Sequence, residues 1–211
     1  MSIVREGYPF IFISAIVGFL LLILSIMLLT IFNVVLFVLG IIFLLLSLFC
    51  IYFFRDPFVE ITKGEDLIIS PCNGTVLEVG ENEKEKIIRV FLSVLDVHLQ
   101  RSPVCGIVQK VEHKAGKFLK AMDPQAHIVN EQNIIHIKND QGVFIVKQIA
   151  GILARRCVSW VKAGDILKTG DKIGVIKFSS QVDLHFPKNI EVKIKAGDKV
   201  VSGVTVFGEI K

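Results

Sequence analysis

The chain has 211 residues, 52% of them hydrophobic, and a formal charge of +4; the apolar total is near that of an ordinary globular protein, so its distribution decides the class. The 48 positions between Glu6 and Arg55 contain no Asp, Glu, Lys or Arg, which excludes a simple soluble domain. A single spanning helix takes ~20 apolar residues and a secretory signal has an apolar centre of ~7–15, so neither accounts for a run of this length.

In chain order, the only break in the run is Thr30-Ile31-Phe32-Asn33, whose two polar side chains predict a turn between two transmembrane helices at about Pro9–Leu29 and Val34–Phe54. A buried helical hairpin of a soluble protein is the competing account, but such helices carry a polar stripe. Arg5 and Arg55 flank the pair and the connecting loop has no cation, so both ends are expected on the cytoplasmic side of the cell (inner) membrane. Residues 1–54 then form a two-helix anchor, and residues 55–211 leave 157 positions, enough for one domain. All of the basic excess lies on that domain. It suits anionic lipid headgroups and is too small and scattered to argue for nucleic acid. The four cysteines, Cys50, Cys72, Cys105 and Cys157, have no C-x-x-C spacing, which predicts free thiols facing the cytosol.

Beyond Arg55 the pattern changes to short β-branched runs separated by Gly, Pro, Asn and Asp: Ile68-Ile69-Ser70, Ile87–Ser93, Asn133–Ile137 and Val143–Ile149 read as strands, with Lys138–Gly142 as a hairpin loop. No segment keeps a helical period for three turns. Val161-Lys162-Ala163-Gly164-Asp165 recurs 33 residues later as Ile194-Lys195-Ala196-Gly197-Asp198, each copy followed by β-branched residues and another Gly. Two copies are too few for a solenoid and predict two matching turn-strand units in one compact domain. The fold class expected is an N-terminal transmembrane helical hairpin followed by a mainly-β, barrel-sandwich-like α+β domain.

The chemistry-bearing residues fall in three clusters. Phe91–Pro103 reads as a strand ending in Asp96, His98 and Arg101; an acid and an imidazole at i, i+2 of an extended segment share a face, so Asp96 is placed to orient His98 or raise its pKa as a general acid/base requires. Gly151–Arg156 ends in adjacent Arg155 and Arg156, suited to phosphate or to solvent. Phe178-Ser179-Ser180-Gln181-Val182-Asp183 taken alone is a turn with two hydroxyls. The five histidines have no H-x-H, H-E-x-x-H or finger spacing, so no metal site is expected, and G-x-S-x-G, P-loop and GxGxxG motifs are absent.

Together these segments resemble the short-form (type A) phosphatidylserine decarboxylases, pyruvoyl enzymes close to the archaetidylserine decarboxylases. The matches run in order along the chain: Arg5-Glu6-Gly7-Tyr8, Phe53–Pro57, Ser70-Pro71-Cys72-Asn73-Gly74, Asp96-Val97-His98 to Pro103, Gly116-Lys117-Phe118, Asn130-Glu131, Ala150–Arg156 and Phe178–Asp183. The resemblance implies a proenzyme that cleaves itself between Ser179 and Ser180 into a large chain 1–179 and a small chain 180–211, Ser180 becoming a pyruvoyl group. It further implies that the ketone forms a Schiff base with the amine of phosphatidylserine, acts as electron sink for loss of CO2 and releases phosphatidylethanolamine. Catalytic residues on this reading are Ser180, His98 and Asp96, with Arg55, Arg101, Arg155 and Arg156 as candidates for the lipid phosphate or carboxylate and no metal. The partners implied are the membrane lipid and the two chains of one precursor; a homo-oligomer is compatible with the sequence.

Two positions depart from the family pattern. Ser179 stands where a Gly normally precedes the nucleophile, removing a residue that adopts strained angles readily. Asn73 stands where the Ser-Pro-Ala-Asp-Gly motif has a carboxylate, and an amide cannot serve as a general base. Arg101 takes the place of a second histidine of the longer relatives, as is normal in the short form. A processing-deficient homologue and a non-catalytic membrane-anchored β-rich binding module are the alternatives. Biotinyl-type carriers, for which Lys172 or Lys199 is the only available lysine, and a β-rich zinc peptidase fit the surrounding residues less well.

Overall fold

The computed structural model describes residues 2–28, 32–64, 66–120, 123, 125–152, 156–178 and 180–210. The chain divides into two compact units, Met1–Phe58 and Val59–Lys211. In the first, β1 (Ser2–Ile3) leads through a 3-10 turn into α1 (Tyr8–Met27), followed by α2 (Asn33–Phe53) and by β2 (Arg55–Asp56), which pairs with β1. Pro9 sits in the first turn of α1, where its missing N–H costs nothing. The helices match the two predicted spans closely; of the predicted turn, Thr30 and Ile31 lie outside the described residues and Asn33 starts α2.

The packing of this pair inverts that of a soluble hairpin. Ser14, Gly18, Ser25, Gly40 and Ser47 are buried while Phe12, Ile13, Phe19, Val38 and Leu45 are exposed. A Cβ on Gly18 would lie 3.0 Å from the Gly40 carbonyl and one on Gly40 3.0 Å from the Gly18 carbonyl, so the two backbones cross at a glycine pair. Ser47 donates to the Ile11 carbonyl on the other helix at 2.9 Å.

Among its described residues the second unit is built of strands and their connections, with one helical turn, α3 (Ala126–Val129). Its strands are β3 (Leu67–Ile69), β4 (Gly74–Glu81), β5 (Glu85–Leu92), β6 (Leu99–Arg101), β7 (Gly106–Lys114), β8 (Gln132–Asn139), β9 (Gly142–Ala150), β10 (Cys157–Ser159), β11 (Ile166–Leu167), β12 (Lys172–Ile176), β13 (Ser180–Pro187), β14 (Ile190–Val192), β15 (Lys199–Val200) and β16 (Val206–Ile210). They pair antiparallel in an eight-stranded sheet, β11-β7-β8-β9-β13-β5-β4-β15, and two three-stranded sheets, β10-β12-β6 and β14-β16-β3.

These orders are those of two matching seven-stranded halves. β6 to β12 run without interruption; β3, β4, β5, β13, β14, β15 and β16 repeat the same pairings, and the halves meet where β9 pairs with β13. The irregularities repeat as well. Register shifts at Val76/Glu78 between β4 and β5 and at Val108/Lys110 between β7 and β8; it shifts again at Lys172/Gly174 and at Val206/Gly208. The two Ala-Gly-Asp turns are alike in detail, with Gly164 at φ +94° and Gly197 at φ +92°, and with Asp165 and Asp198 each accepting at 2.9 Å from the backbone N–H three residues earlier. A second repeat, Ser70-Pro71-x-x-Gly74 and Ser102-Pro103-x-x-Gly106, has Ser70 donating to the Cys72 carbonyl at 2.6 Å and Ser102 to that of Val104 at 2.7 Å.

The halves differ at one hairpin. β8 and β9 are joined by the tight turn at Asp140-Gln141, whereas the corresponding β5 and β13 are separated by the whole of the other half, which enters after Leu92 and returns at Ser180. Alternate residues of β5, β8, β9 and β13, among them Ile88, Ile135, Phe144 and Leu184, are fully buried in the single core. Each such side chain contributes roughly 1.5–3 kcal/mol on burial.

Candidate active site

Because neighbouring strands are antiparallel, β5, β7 and β9 end where β4, β8 and β13 begin, and the segments singled out in the sequence gather at that end of the sheet. Ser180, the first residue of β13, is paired with Leu92 of β5 on one side and Ala150 of β9 on the other. The Phe178–Asp183 stretch is therefore mostly a central strand, not a turn: Ser180 to Phe186 are buried between two neighbours, an arrangement local propensity does not report. Ser180 is fully buried and its hydroxyl has no hydrogen-bond partner among the described residues. Buried hydroxyls normally find one. Ser179 lies outside the described residues. Phe178 has φ +61°, the one positive φ at a non-glycine residue among those described, a conformation unfavourable for a bulky side chain.

The chain reaches this point along β12. The Ile176 N–H donates to the His98 carbonyl at 3.2 Å and that of Lys177 to the Arg156 carbonyl at 3.3 Å, so His98 and Arg156 are tied to the chain three to four residues before Ser180. Here the strand expected over Phe91–Pro103 is corrected: β5 stops at Leu92, residues 94–95 form a turn, and β6 starts at Leu99. In that turn the Asp96 carboxylate accepts from the Ser93 N–H at 2.8 Å and the Ser93 hydroxyl at 2.7 Å. His98 is buried, and it is the Asp96 main-chain carbonyl, not the carboxylate, that meets its Nδ1 at 2.9 Å. A carbonyl only accepts, so Nδ1 carries the proton and Nε2 is the accepting nitrogen of the neutral ring.

Sequence reasoning missed the support behind His98. Gln100 and Gln148, both fully buried, form a chain of amides: Gln100 Nε2 donates to the His98 carbonyl at 2.6 Å, Gln148 Nε2 to Gln100 Oε1 at 2.7 Å, and Asn133 Nδ2 to Gln148 Oε1 at 3.1 Å. The chain ends at His113, whose Nδ1 is 2.9 Å from Asn133 Oδ1. It fixes the His98 backbone to β8 and β9 across two sheets.

The Gly116–Phe118 and Asn130-Glu131 motifs also acquire a role. Asn130 accepts from the Leu119 N–H at 2.9 Å and donates to the carbonyls of Leu119 at 3.0 Å and Ala150 at 2.7 Å, clamping the loop after β7 to the residue beside Ser180. A Cβ on Gly116 would come within 2.6 Å of the Glu131 nitrogen, which accounts for glycine there.

The other candidates are placed as follows. Gly74, at φ +151°, has no room for a Cβ against the Phe91 carbonyl, so Ser70–Gly74 lies against the end of β5. Asn73 Oδ1 accepts from the Ser202 N–H at 3.2 Å. Arg101, the last residue of β6, is 8% exposed and donates through Nη1 to the Gly170 carbonyl at 3.0 Å, a buried tie from this strand to the turn before β12. Arg156 is exposed beside Lys177. Arg155 lies outside the described residues. Arg55 belongs to the first unit, where it donates to the Tyr52 carbonyl at 2.8 Å and stacks 3.9 Å over the Tyr52 ring. Among the described residues no group of His, Cys, Asp and Glu is arranged to hold a metal ion.

On the face of β13 away from the core, Asp183 accepts from Gln181 Nε2 at 2.6 Å and lies 3.5 Å from Arg89 Nε. Burial raises its carboxyl pKa although Gln181, Arg89, His185 and Lys147 oppose it. His185 shares a proton position with Glu85 at 2.7 Å, and burial lowers its pKa below the ordinary histidine value. The thiols of Cys72 and Cys157 are pushed up by burial, whereas Cys105 is exposed.

Residues 46–208 match the family described as phosphatidylserine decarboxylase. Three relatives carry the name phosphatidylserine decarboxylase proenzyme. That of Carboxydothermus hydrogenoformans is 44% identical over 181 residues, covering 82% of this chain and 85% of its own. That of Geotalea uraniireducens is 39% identical over 98% of this chain and 95% of its own, and that of Magnetococcus marinus 36% over 99% and 95%. A match of this extent, spanning both the Ser70–Gly74 segment and the buried serine at the head of β13, makes the chain a member of the phosphatidylserine decarboxylase family.

Proposed function

We propose that the chain is a proenzyme that cleaves itself between Ser179 and Ser180 and then converts phosphatidylserine to phosphatidylethanolamine and CO2. The observation that carries this reading is the Ser180 hydroxyl, fully buried and unpartnered among the described residues, two positions after a strained Phe178. The Ser180 oxygen attacks the Ser179 carbonyl carbon, turning the amide into an ester; elimination breaks the Cβ–O bond and releases the 1–179 chain as a carboxylate. The dehydroalanine left at position 180 takes up water and loses ammonia to give a pyruvoyl group. Such a ketone supplies an electrophile for the substrate amine and an electron sink for the departing CO2.

The chain's own residues do the rest. His98, held in one tautomer by the Asp96 carbonyl, takes and returns the proton through Nε2. It replaces the carboxylate missing at Asn73, whose amide oxygen is committed to Ser202. Arg155 and Arg156 are proposed for the lipid phosphate or carboxylate, and Arg101 positions the Gly170 turn. Cleavage at this bond cuts the chain where the other half has a hairpin turn, so no strand pairing is lost: β13 to β16 stay paired with β5, β9, β4, β3 and each other.

The first unit is read as the anchor. Its buried Ser and Gly and exposed Phe, Ile and Leu suit the packing of helices in lipid, and Arg5 and Arg55 favour an orientation with both ends on the cytoplasmic side. The test is a Ser180→Ala protein, expected to remain one chain and form no phosphatidylethanolamine, while the parent splits and its small chain is trapped by borohydride with an amine. Cleavage of Ser180→Ala at an unchanged rate would overturn the assignment. Ser179→Gly is expected to speed cleavage.

A further inference from the structure

The two ends of the eight-stranded sheet are built differently. At the end away from Ser180 the connecting turns, 82–84, 140–141 and 188–189, are polar. At the Ser180 end four apolar side chains stand on separate connections: Leu95 at 60% exposure, Phe118 at 36%, Ile128 at 56% and Ile152 at 54%. All four are tied to the site by bonds already described: Leu95 lies in the Ser93–Asp96 turn, Phe118 precedes the Leu119 that Asn130 clamps, Ile128 sits in the helical turn before Asn130, and Ile152 follows the Ala150 paired with Ser180. Exposed Lys117 and Lys120 flank Phe118 on its loop.

Resting on the proposed function, in which the substrate is a bilayer lipid, we propose that this end of the sheet docks on an anionic membrane surface. Leu95, Phe118, Ile128 and Ile152 enter the headgroup boundary, and Lys117 and Lys120 engage its phosphates. Exposed apolar tips with a pair of lysines on one of them are complementary to an anionic interface. Docking presents the end of the sheet that holds Ser180 to the headgroups of its lipid substrate. Exposed isoleucines also occur on the paired edge strands β7 and β11, at Ile107 and Ile166, close to Cys105 at the opposite end. The exposed Cys105 thiol is therefore the natural comparison.

The test uses the full chain in phosphatidylcholine vesicles with and without phosphatidylglycerol, and no phosphatidylserine. A nitrobenzoxadiazole probe is placed on Cys105, or on Leu95→Cys or Ile152→Cys in a Cys105→Ser background. With phosphatidylglycerol the probes at 95 and 152 are expected to shift to the blue, to be quenched by spin-labelled lipid and to be shielded from iodide, while the probe at 105 stays open to iodide. Combining Lys117→Glu and Lys120→Glu should cut the shielding by about fivefold or more. Equal iodide access at 95, 152 and 105, or shielding at 105 alone, overturns the proposal. Hydrogen exchange of the unsubstituted protein gives the same contrast without a variant: protection gained over 93–98 and 115–120 and none over 138–142. Since neither readout needs turnover, a failed docking result with intact decarboxylation refutes the surface, and the converse refutes the enzymatic reading.

Discussion

The two seven-stranded halves are the same device used twice, once closed and once open. In the continuous half, β8 turns into β9 at Asp140-Gln141, and the left-handed angle needed there falls on Gly142, at φ +132°. In the interrupted half the corresponding tip is split by 87 residues between Leu92 and Ser180, and the left-handed angle falls on Phe178. Glycine bears such an angle at no steric cost; a phenylalanine does not. Strain, a hydroxyl without a partner among the described residues and the candidate scissile bond thus coincide at a connection that can be cut without unpairing a strand.

Ile88 on β5 and Ile135 on β8 occupy matching positions and are both fully buried. Replacing either with Ala should cost ~2–5 kcal/mol by denaturant unfolding, with the two values close to each other; a large inequality would show that the halves are not energetically alike. Asn130 belongs to a connection found only in the continuous half, since its counterpart between β4 and β5 is the short Asn82–Lys84 loop. Asn130→Ala strands the Ala150 carbonyl and should cost about 1–3 kcal/mol and slow chain cleavage, with no equivalent sensitivity at residues 82–84.

Phe178→Gly should relieve about 1–2 kcal/mol of backbone strain, stabilising the uncut precursor and slowing cleavage by roughly five- to thirtyfold, whereas Gly142→Ala should only destabilise. Time-resolved gels and unfolding of the uncut form check both. The smallest effect is on pH dependence. His185 has a folded pKa below its unfolded 6.5, so the folded state binds fewer protons and stability falls as pH drops from 6.5 through the folded value. Asp183, raised by burial, acts the other way: its contribution is present below its unfolded 3.8 and lost as pH rises through the folded value. His185→Gln should therefore show a shallower loss of Tm between pH 7 and 5 than the parent.

What the sequence disclosed depended on how local the cause was. The helical hairpin was readable because hydropathy and helix length are properties of one segment, and the Ala-Gly-Asp turns because each is closed by residues three apart. The duplication was hidden because its pairings join remote segments, β13 lying between β5 and β9, and because only the turn residues repeat in kind. The Ser70-Pro71 and Ser102-Pro103 repeat was its visible trace. At the candidate site, Ser180, His98 and Asp96 were singled out through residue type and resemblance, but the way Asp96 meets His98 was not. An i, i+2 rule assumes extended backbone, and a turn at residues 94–95 hands the task to a main-chain carbonyl. The amides of Gln100 and Gln148 left no signal at all, since each is meaningful only opposite the other.

The central claim, that the open hairpin tip is where the chain divides, is tested most directly by the intact mass of the purified protein under denaturing conditions. Two chains are predicted, 1–179 and 180–211, co-eluting until unfolded, the smaller lighter than its serine-started peptide by one ammonia, since the hydroxyl oxygen leaves with the 1–179 chain and a ketone oxygen replaces the amine. A single unbroken chain of 23.5 kDa, or a break at any other bond, would contradict it.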